Sequence, residues 1–498
     1  MNVNPITRLD YPDPDVIRVE DTYYMVSTTM HFMPGCEILQ SFDLVHWEHA
    51  TYVYETLDHT DAQQLKSGQN IYGQGMWAAS LRYHEGRFYI CFVANDTRKT
   101  YLYTSEKIDG PWKKQLIEGF YHDGSLLFDE DGRNYIVYGN DEIWITELNE
   151  DLTAPKKDGL HRLLVSDHKN PELGYEGSHI QKINGYYYIF LVHSLRDRWM
   201  RTEACFYSDS LEGEFTGGDV LCDDRGYCGQ GVAQGGIVDT PDGKWYAMLF
   251  QDSGAVGRLP ILLPVTWKDH FPVFGQNGHV PEEIEVHSTR PGYIYQPLVG
   301  SDDFCNGLLP RWQFNHDPDP RYYHLDALQG TYTITTREVC TELTQAVNTL
   351  TQRMSYPSCA AEVTVDASAL KEGDVAGLCA LQGCYAAVGI TKHHGKYEVL
   401  MLDKKEDGIL DMTEGTVVES HQMDFRLEAD FCNMKDEARC YYRVNKGDWL
   451  PIGTVHKLYF KLDHFTGCRF GLFCYAAEET GGSACFRDFK YYDVDEIS

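Results

Sequence analysis

Over the first 300 or so residues, one arrangement of apolar and polar positions returns five times: a short apolar run, a turn carrying Gly or Asp, and an aromatic run. The copies run from Val16-Ile17-Arg18-Val19 to Tyr23-Tyr24-Met25, and from Leu81-Arg82-Tyr83 through Gly86 to Phe88-Tyr89-Ile90. The next pass from Leu126-Leu127-Phe128 through Gly132 to Tyr135-Ile136-Val137, and from Ile180-Gln181-Lys182-Ile183 through Gly185 to Tyr186-Tyr187-Tyr188. The last joins Ile237-Val238-Asp239 through Gly243 to Trp245-Tyr246-Ala247. Turn residues between two β-rich runs of this length predict hairpins. A second element follows in several copies, Ser41-Phe42-Asp43-Leu44 to Trp47, Ser105 to Trp112 and Ser208 to Phe215, which suggests an outer strand and an aromatic plug closing each unit. Copies begin roughly 45 to 65 residues apart, the period of four-stranded propeller blades, which hide their sheet edges by packing around an axis. The pattern predicts five blades over residues 1–298. The competing reading is an ordinary sandwich whose hairpins look alike because hairpin chemistry is limited.

The repeat stops around Pro291 to Ser301. Beyond it, Tyr332-Thr333-Ile334-Thr335, Ala361-Glu362-Val363-Thr364-Val365 and Tyr397-Glu398-Val399-Leu400-Met401 alternate with a period of two, as half-buried antiparallel strands do. Long helical stripes are absent. Residues 302–498 therefore read as a separate β-sandwich, and the whole chain as all-β. No low-complexity linker separates the two parts, which predicts a fixed interface rather than a tether.

Length agrees with two domains, since 498 residues exceed what one compact core holds. The net charge of −32 repels phosphate backbones and anionic lipid surfaces, which argues against nucleic acid and membranes as partners. The 34 tyrosines suit sugar faces, but twisted sheets account for most of them. Met1-Asn2-Val3-Asn4-Pro5 has no basic stretch leading into an apolar one, and fifteen cysteines scattered through strand-like settings read as reduced thiols. A soluble, cytoplasmic protein is expected. Cys222 and Cys228 form the one close pair in a loop-like stretch, and a metal or disulfide role there is the minority reading.

In a propeller, residues just before each innermost strand converge at one mouth of the central channel. That offset selects Asp13, Trp77, Asp123, Glu176 and Gln234. Glycoside cleavage needs one carboxylic acid to protonate the departing oxygen and one carboxylate acting on the opposite face of the sugar. A third acid nearby raises the proton affinity of the first, because like charges at close range disfavour joint ionisation. Singly, each acid has a bland reading: Pro12-Asp13-Pro14 as a rigid turn, Asp123-Gly124 as turn chemistry, Glu176 as a loop charge. Their shared offset in three blades favours catalysis.

At these residues the chain resembles glycoside hydrolase family 43. The matching stretches include Tyr11-Pro12-Asp13-Pro14-Asp15-Val16, Pro34-Gly35, Gly75-Met76-Trp77-Ala78, Asp123-Gly124-Ser125, Glu176-Gly177-Ser178-His179 and Gly235-Gly236-Ile237-Val238-Asp239-Thr240. Trp312-Gln313-Phe314-Asn315-His316 and Ala376-Gly377-Leu378 extend the likeness to the concanavalin-like jelly roll that follows the propeller in that family's β-xylosidases. The resemblance implies Asp13 as general base, Glu176 as general acid and Asp123 as the acid that tunes and orients Glu176. It implies Trp77 stacked on the sugar, and Arg258 reaching both the terminal sugar and the modulating Asp. Phe32 and Met30, on the first-blade loop Thr29 to Gly35, and Gln234 complete the substrate-binding set. Two departures stand out: Gln234 replaces a channel histidine often associated with calcium, which leaves that metal open, and Met30 replaces an aromatic, which leaves the terminal sugar open.

The resulting expectation is an exo-acting, inverting glycosidase that needs no cofactor and removes single β-D-xylose or α-L-arabinofuranose units from short, imported hemicellulose fragments. Inversion predicts roughly 6.5–9.5 Å between the carboxyl groups of Asp13 and Glu176. A fructan-cleaving propeller also uses two Asp and one Glu, but its Arg-Asp-Pro signature is missing around Asp123. A sugar-binding propeller without catalysis is the reading from another class. The sandwich reads as support whose loops wall the propeller's mouth, in preference to a carbohydrate-binding module. Self-association stays open.

Overall fold

The computed structural model describes residues 3–493, so residues 1–2 and 494–498 of the two expected domains lie outside it. Its regular structure is strands with four short 3-10 turns, and among the described residues no helix is long and apolar enough to cross a membrane.

Five four-stranded antiparallel sheets follow one another in chain order. Their innermost strands are Asp15–Val19, Met76–His84, Ser125–Phe128, Glu176–Ile183 and Val232–Asp239, each paired with the aromatic strand that follows it. Successive sheets bury apolar faces against each other. Leu81, Ile90 and Phe92 of the second meet Val26 and Ile38 of the first, while Val137 and Ile145 of the third meet Ile180 and Ile189 of the fourth. The ring closes through the N-terminal segment. Asn4 pairs both its amide groups with the backbone of Leu262, and Ile6 and Tyr11 donate to the carbonyls of Pro260 and Arg258 on the fifth sheet. Ile6 and Leu9 then pack with Tyr246 and Met248. Of the three predicted plugs, Trp47 and Phe215 are buried and Trp112 is half-buried against the second blade's core.

Beneath the channel mouth, four blades are tied by one buried network. Asp15 accepts from the Leu81 amide at 2.7 Å and from Arg82 Nη1 at 2.8 Å, while His179 Nδ1 lies 3.0 Å from its other oxygen. Arg82 also donates to Ser125 Oγ and to the Leu126 carbonyl of the third blade. Desolvation would raise the Asp15 carboxyl, but Arg82 and His179 hold it below its ordinary value.

The C-terminal half is a β-sandwich of two antiparallel sheets with nine and seven strands. The three alternating runs read from sequence lie in Thr331–Thr335, Ser358–Asp366 and Lys396–Lys404. One edge strand of the larger sheet comes from the propeller. Phe32–Met33 pairs with Gln313–Asn315, so Phe32 is fully buried with Arg469 stacked 3.4 Å over its ring. Ala255, Val256 and Leu259 of the fifth blade share the sandwich core with Phe431, Cys468 and Phe470. Arg353 of the sandwich reaches into the first blade, donating to the Asp10 carbonyl at 2.9 Å and pairing with Glu37 at 2.8 Å. Removing one partner of so buried a pair costs about 3–5 kcal/mol. The two halves form one packed body, as the missing linker predicts.

Candidate active site

Each blade turns one side chain toward the axis by breaking the regularity of its inner strand. Asp13, Asp123 and Gln234 take left-handed backbone conformations, with φ of 52°, 48° and 66°. The pairing slips between Met76 and Ala79, between Glu176 and His179, and between Ala233 and Gly236, so Trp77 and Gln234 occupy bulges and Glu176 borders one. A bulge bends the strand and re-aims the side chain it carries. All five residues line a single cavity of about 580 Å³.

Asp13 is held from both sides. Thr28 Oγ1 donates to Oδ2 at 2.5 Å, and Arg258 Nη1 donates to Oδ1 at 3.2 Å. Arg258 in turn is positioned by its own amide, which donates to Asp10 Oδ1 at 2.8 Å, and by stacking 4.3 Å over Phe465. Its Nε and Nη2 are shut away from solvent with no hydrogen-bond partner among the described residues. Glu176 Oε2 accepts from Asn140 Nδ2 at 2.7 Å and lies 3.3 Å from His122 Nε2. Asp123 accepts from the Gly177 amide at 3.1 Å, with His122 Nε2 3.6 Å from the same oxygen. Burial, together with the charges of Glu176 and Asp13, pushes the Asp123 carboxyl up to about 6 against the pull of His122 and the Gly177 amide. Arg201, fixed by Asp252 at 2.8 Å, and the half-exposed Trp199 also line the cavity.

The sandwich completes the cavity. Met434 and the loop residues Phe460, Lys461, Leu462 and Phe465 line it, with Phe465 5.5 Å from the Trp77 ring. The expectation that sandwich loops wall the mouth holds.

Six of the eight expected site residues come together: Asp13, Trp77, Asp123, Glu176, Gln234 and Arg258. Phe32 and Met30 do not. Phe32 is spent on the strand that joins the sandwich sheet, and Met30, 1% exposed, forms a backbone bridge with Met76, so neither lines the cavity. A second correction concerns Arg258, whose ion pair is with Asp13 rather than with the modulating Asp123, because the N-terminal segment lays Asp10 to Asp13 along the arginine's own strand. Sequence reasoning passed over His122, Asn140 and Trp199. The first sits beside Asp123 and was open to notice; the other two are delivered by loops and strand ends whose direction no local pattern reveals.

A calcium ion at the channel fits poorly. Gln234 offers one neutral side-chain amide, and its backbone N–H donates at 2.7 Å to Oε2 of Glu203, a fully buried acid whose carboxyl is raised well above its ordinary value by burial. Among the described residues the His, Cys, Asp or Glu side chains that come close enough to share an ion are His122, Asp123 and Glu176 of the same cavity, two carboxylates and an imidazole where calcium wants six to eight oxygens. All fifteen cysteines are unpaired, Cys222 and Cys228 included.

Comparison with known proteins agrees with this geometry. Residues 3–272 match the family model described as glycosyl hydrolases family 43, and residues 301–492 match the β-xylosidase C-terminal concanavalin A-like domain. A β-xylosidase of Formosa agariphila is 26% identical, the match covering 99% of this chain and 89% of that protein. A solved bifunctional GH43-CE protein of Bacteroides eggerthii superposes with a TM-score of 0.92 at 42% identity over 98% of this chain, which spans only 63% of that longer protein. A second solved structure, a GH43 glycoside hydrolase engineered to show both endo-xylanase and exo-arabinofuranosidase activity, superposes with a TM-score of 0.86 at 27% identity over 99% of both chains.

Proposed function

The chain belongs to glycosyl hydrolases family 43, and from that membership and the cavity we propose that it hydrolyses terminal β-D-xylosyl or α-L-arabinofuranosyl bonds of short hemicellulose-derived oligosaccharides, with inversion. One observation carries the reading: acids from three different blades share a cavity that a loop of the second domain walls off on one side. A walled pocket admits a chain end and excludes the middle of a polymer.

In this mechanism Asp13, oriented by Thr28 and Arg258, takes a proton from the water that attacks the anomeric carbon. Glu176, oriented by Asn140, protonates the leaving oxygen from the other side. Asp123 controls Glu176 at a distance, through the charge they share and through the Gly177 amide it anchors. Trp77 offers an aromatic face, and Arg258 lines the same cavity while holding Asp13. No step calls for a metal or redox group. The fifteen unpaired thiols support a reducing, cytoplasmic setting in which such fragments arrive by import.

Nitrophenyl β-xyloside and α-L-arabinofuranoside, compared side by side, decide the sugar. Asp13→Ala and Glu176→Ala should each lower kcat by about 10²–10⁴-fold, the range of one general acid or base, with the circular dichroism of the fold retained and the melting temperature lowered in Asp13→Ala, where buried Arg258 loses its partner. Near-normal turnover in either variant would refute the assignment. Proton NMR of the first product should show the anomer opposite to that of the substrate, and retention would exclude the water-activating role of Asp13. Release of fructose from sucrose would point instead to the fructan-cleaving group.

A further inference from the structure

His122 has no place in two-carboxyl hydrolysis, yet it faces both acids of the leaving-group side. Its Nε2 lies 3.3 Å from Glu176 Oε2 and 3.6 Å from Asp123 Oδ2, its side chain is 19% exposed, and its ring lies 5.9 Å from that of Trp77 on the cavity wall. The charged groups nearest the ring are acidic: Asp123 on its own turn, Glu176 on the fourth blade and Asp13 on the first. The cationic groups lining the same cavity, Arg201, Arg258 and Lys461, are engaged with Asp252, Asp13 and Glu406 respectively. Burial alone would make the imidazole a weaker base, but the carboxylates outweigh it and raise the ring to about 9. Asn140 already donates to Glu176 Oε2, so a protonated His122 gives that oxygen a second donor.

We propose that His122 is the proton reservoir of the general acid, holding on Nε2 the proton that Glu176 delivers to the departing sugar oxygen. The proposal rests on the reading of Glu176 as that acid. The proton crosses from Nε2 to Oε2, leaving a neutral imidazole and a carboxylic acid. Glu176 then passes a proton to the glycosidic oxygen as its bond to the anomeric carbon breaks. Water forms the new bond on the opposite face and gives its proton to Asp13. Asp13 returns that proton to solvent, and the His122–Glu176 pair takes one up, so charge and atoms balance over the cycle. His122 acts through Glu176 and is a positioning residue. Its consequence is a site that stays competent in alkali until the imidazolium is lost, beyond where a carboxyl pair alone would have ionised.

The test uses the full chain and two readouts. The first is the pH dependence of kcat/KM on xylobiose or an arabinosyl-xylose disaccharide, whose leaving group needs a proton, in the wild type and in His122→Gln. The alkaline limb should move to lower pH by more than about one unit, with kcat falling more than KM changes, while nitrophenyl pentosides, which leave readily, are much less affected. A loss of equal size at every pH, with the limb unmoved, would show a packing role and overturn the proposal. The second readout needs no folded variant: a nitrogen-15 NMR titration of the wild-type histidines should show His122 protonated well above the ordinary imidazole range. Glu176→Gln should lower that titration. A ring that titrates near about 6.5 in the wild type holds no such proton, and the proposal fails whatever the kinetics show. The two readings fail differently: a wild type that cleaves no pentoside ends both, whereas an active wild type with an ordinary His122 titration ends this one alone.

Discussion

Asp13, Asp123 and Gln234 hold left-handed backbones that cost a non-glycine residue roughly 1–2 kcal/mol, which Asp tolerates better than most. The expense recurs at the same place in three blades because the kink is what points a side chain down the axis. The fourth blade uses a glycine instead. Gly177 has φ of 65°, and a Cβ there would sit 2.7 Å from Gln234 Cγ. Its amide also anchors Asp123. Gly177→Ala should therefore lower stability by about 1–2 kcal/mol and reduce kcat with little change in KM, as urea unfolding and steady-state kinetics would show. Unchanged kcat would mean that the Asp123 anchor is dispensable. The three acids were legible in the sequence because each sits at a fixed offset from a repeat. Phe32 and Met30 were misread because a loop residue's partner is set by what the fold brings to it, here a sandwich strand and Met76.

The bulged inner strands, whose period the sequence displays, carry the acids' side of the site, and a sandwich loop between Leu450–Lys457 and Arg469–Ala476, which no repeat marks, walls it. That loop sets Phe465 between Trp77 and Arg258, where the ring both narrows the cavity and covers the arginine's face. A cation–π contact of this kind contributes about 0.5–2 kcal/mol. Phe465→Ala should then raise KM for a pentoside about two- to thirtyfold, the equivalent of that energy, while kcat changes less. It should also widen the range of chain lengths accepted, read from product profiles on xylan fragments. If neither KM nor chain-length preference moves, the loop is only a lid support.

Across the whole chain the two domains are joined by burial that a cut between them would expose. Where they meet, His31 of the first blade, His316 and His464 of the sandwich cluster around Tyr72, with ring centroids 4.8 Å apart for His31 and His316 and 5.0 Å for His31 and His464. All three are buried, and Arg469 adds further positive charge beside His31 and His464. Burial pushes His464 down to about 3 and lowers His31 and His316 well below the ordinary imidazole value. A folded-state value below the unfolded one means that unfolding takes up protons, so stability is full above about 6.5 and falls as pH drops through that value. Each histidine contributes about 1.4 kcal/mol per pH unit in that window, up to about 4 for the three together. The melting temperature should fall steeply between about pH 6.5 and 5, above the range in which ordinary carboxylates protonate, and His464→Phe should flatten the slope by about a third. A melting temperature level over that range would remove the cluster from any account of acid sensitivity.

The repeat of strand, turn and aromatic strand determined the blades, and the position of acids relative to it determined which side chains meet at the axis, because radial repetition turns a constant offset into a shared point in space. Alternation with a period of two likewise determined the sandwich. Contacts between segments far apart in the chain lay beyond such reading: the Phe32–Met33 strand lent to the second sheet, the Arg258–Asp13 pair, Phe465 on the cavity wall and His122 between two carboxylates. Local patterns specify which face of a strand is apolar, whereas these contacts depend on where one domain docks on the other and on how each loop turns, and both follow from the packing of the completed chain.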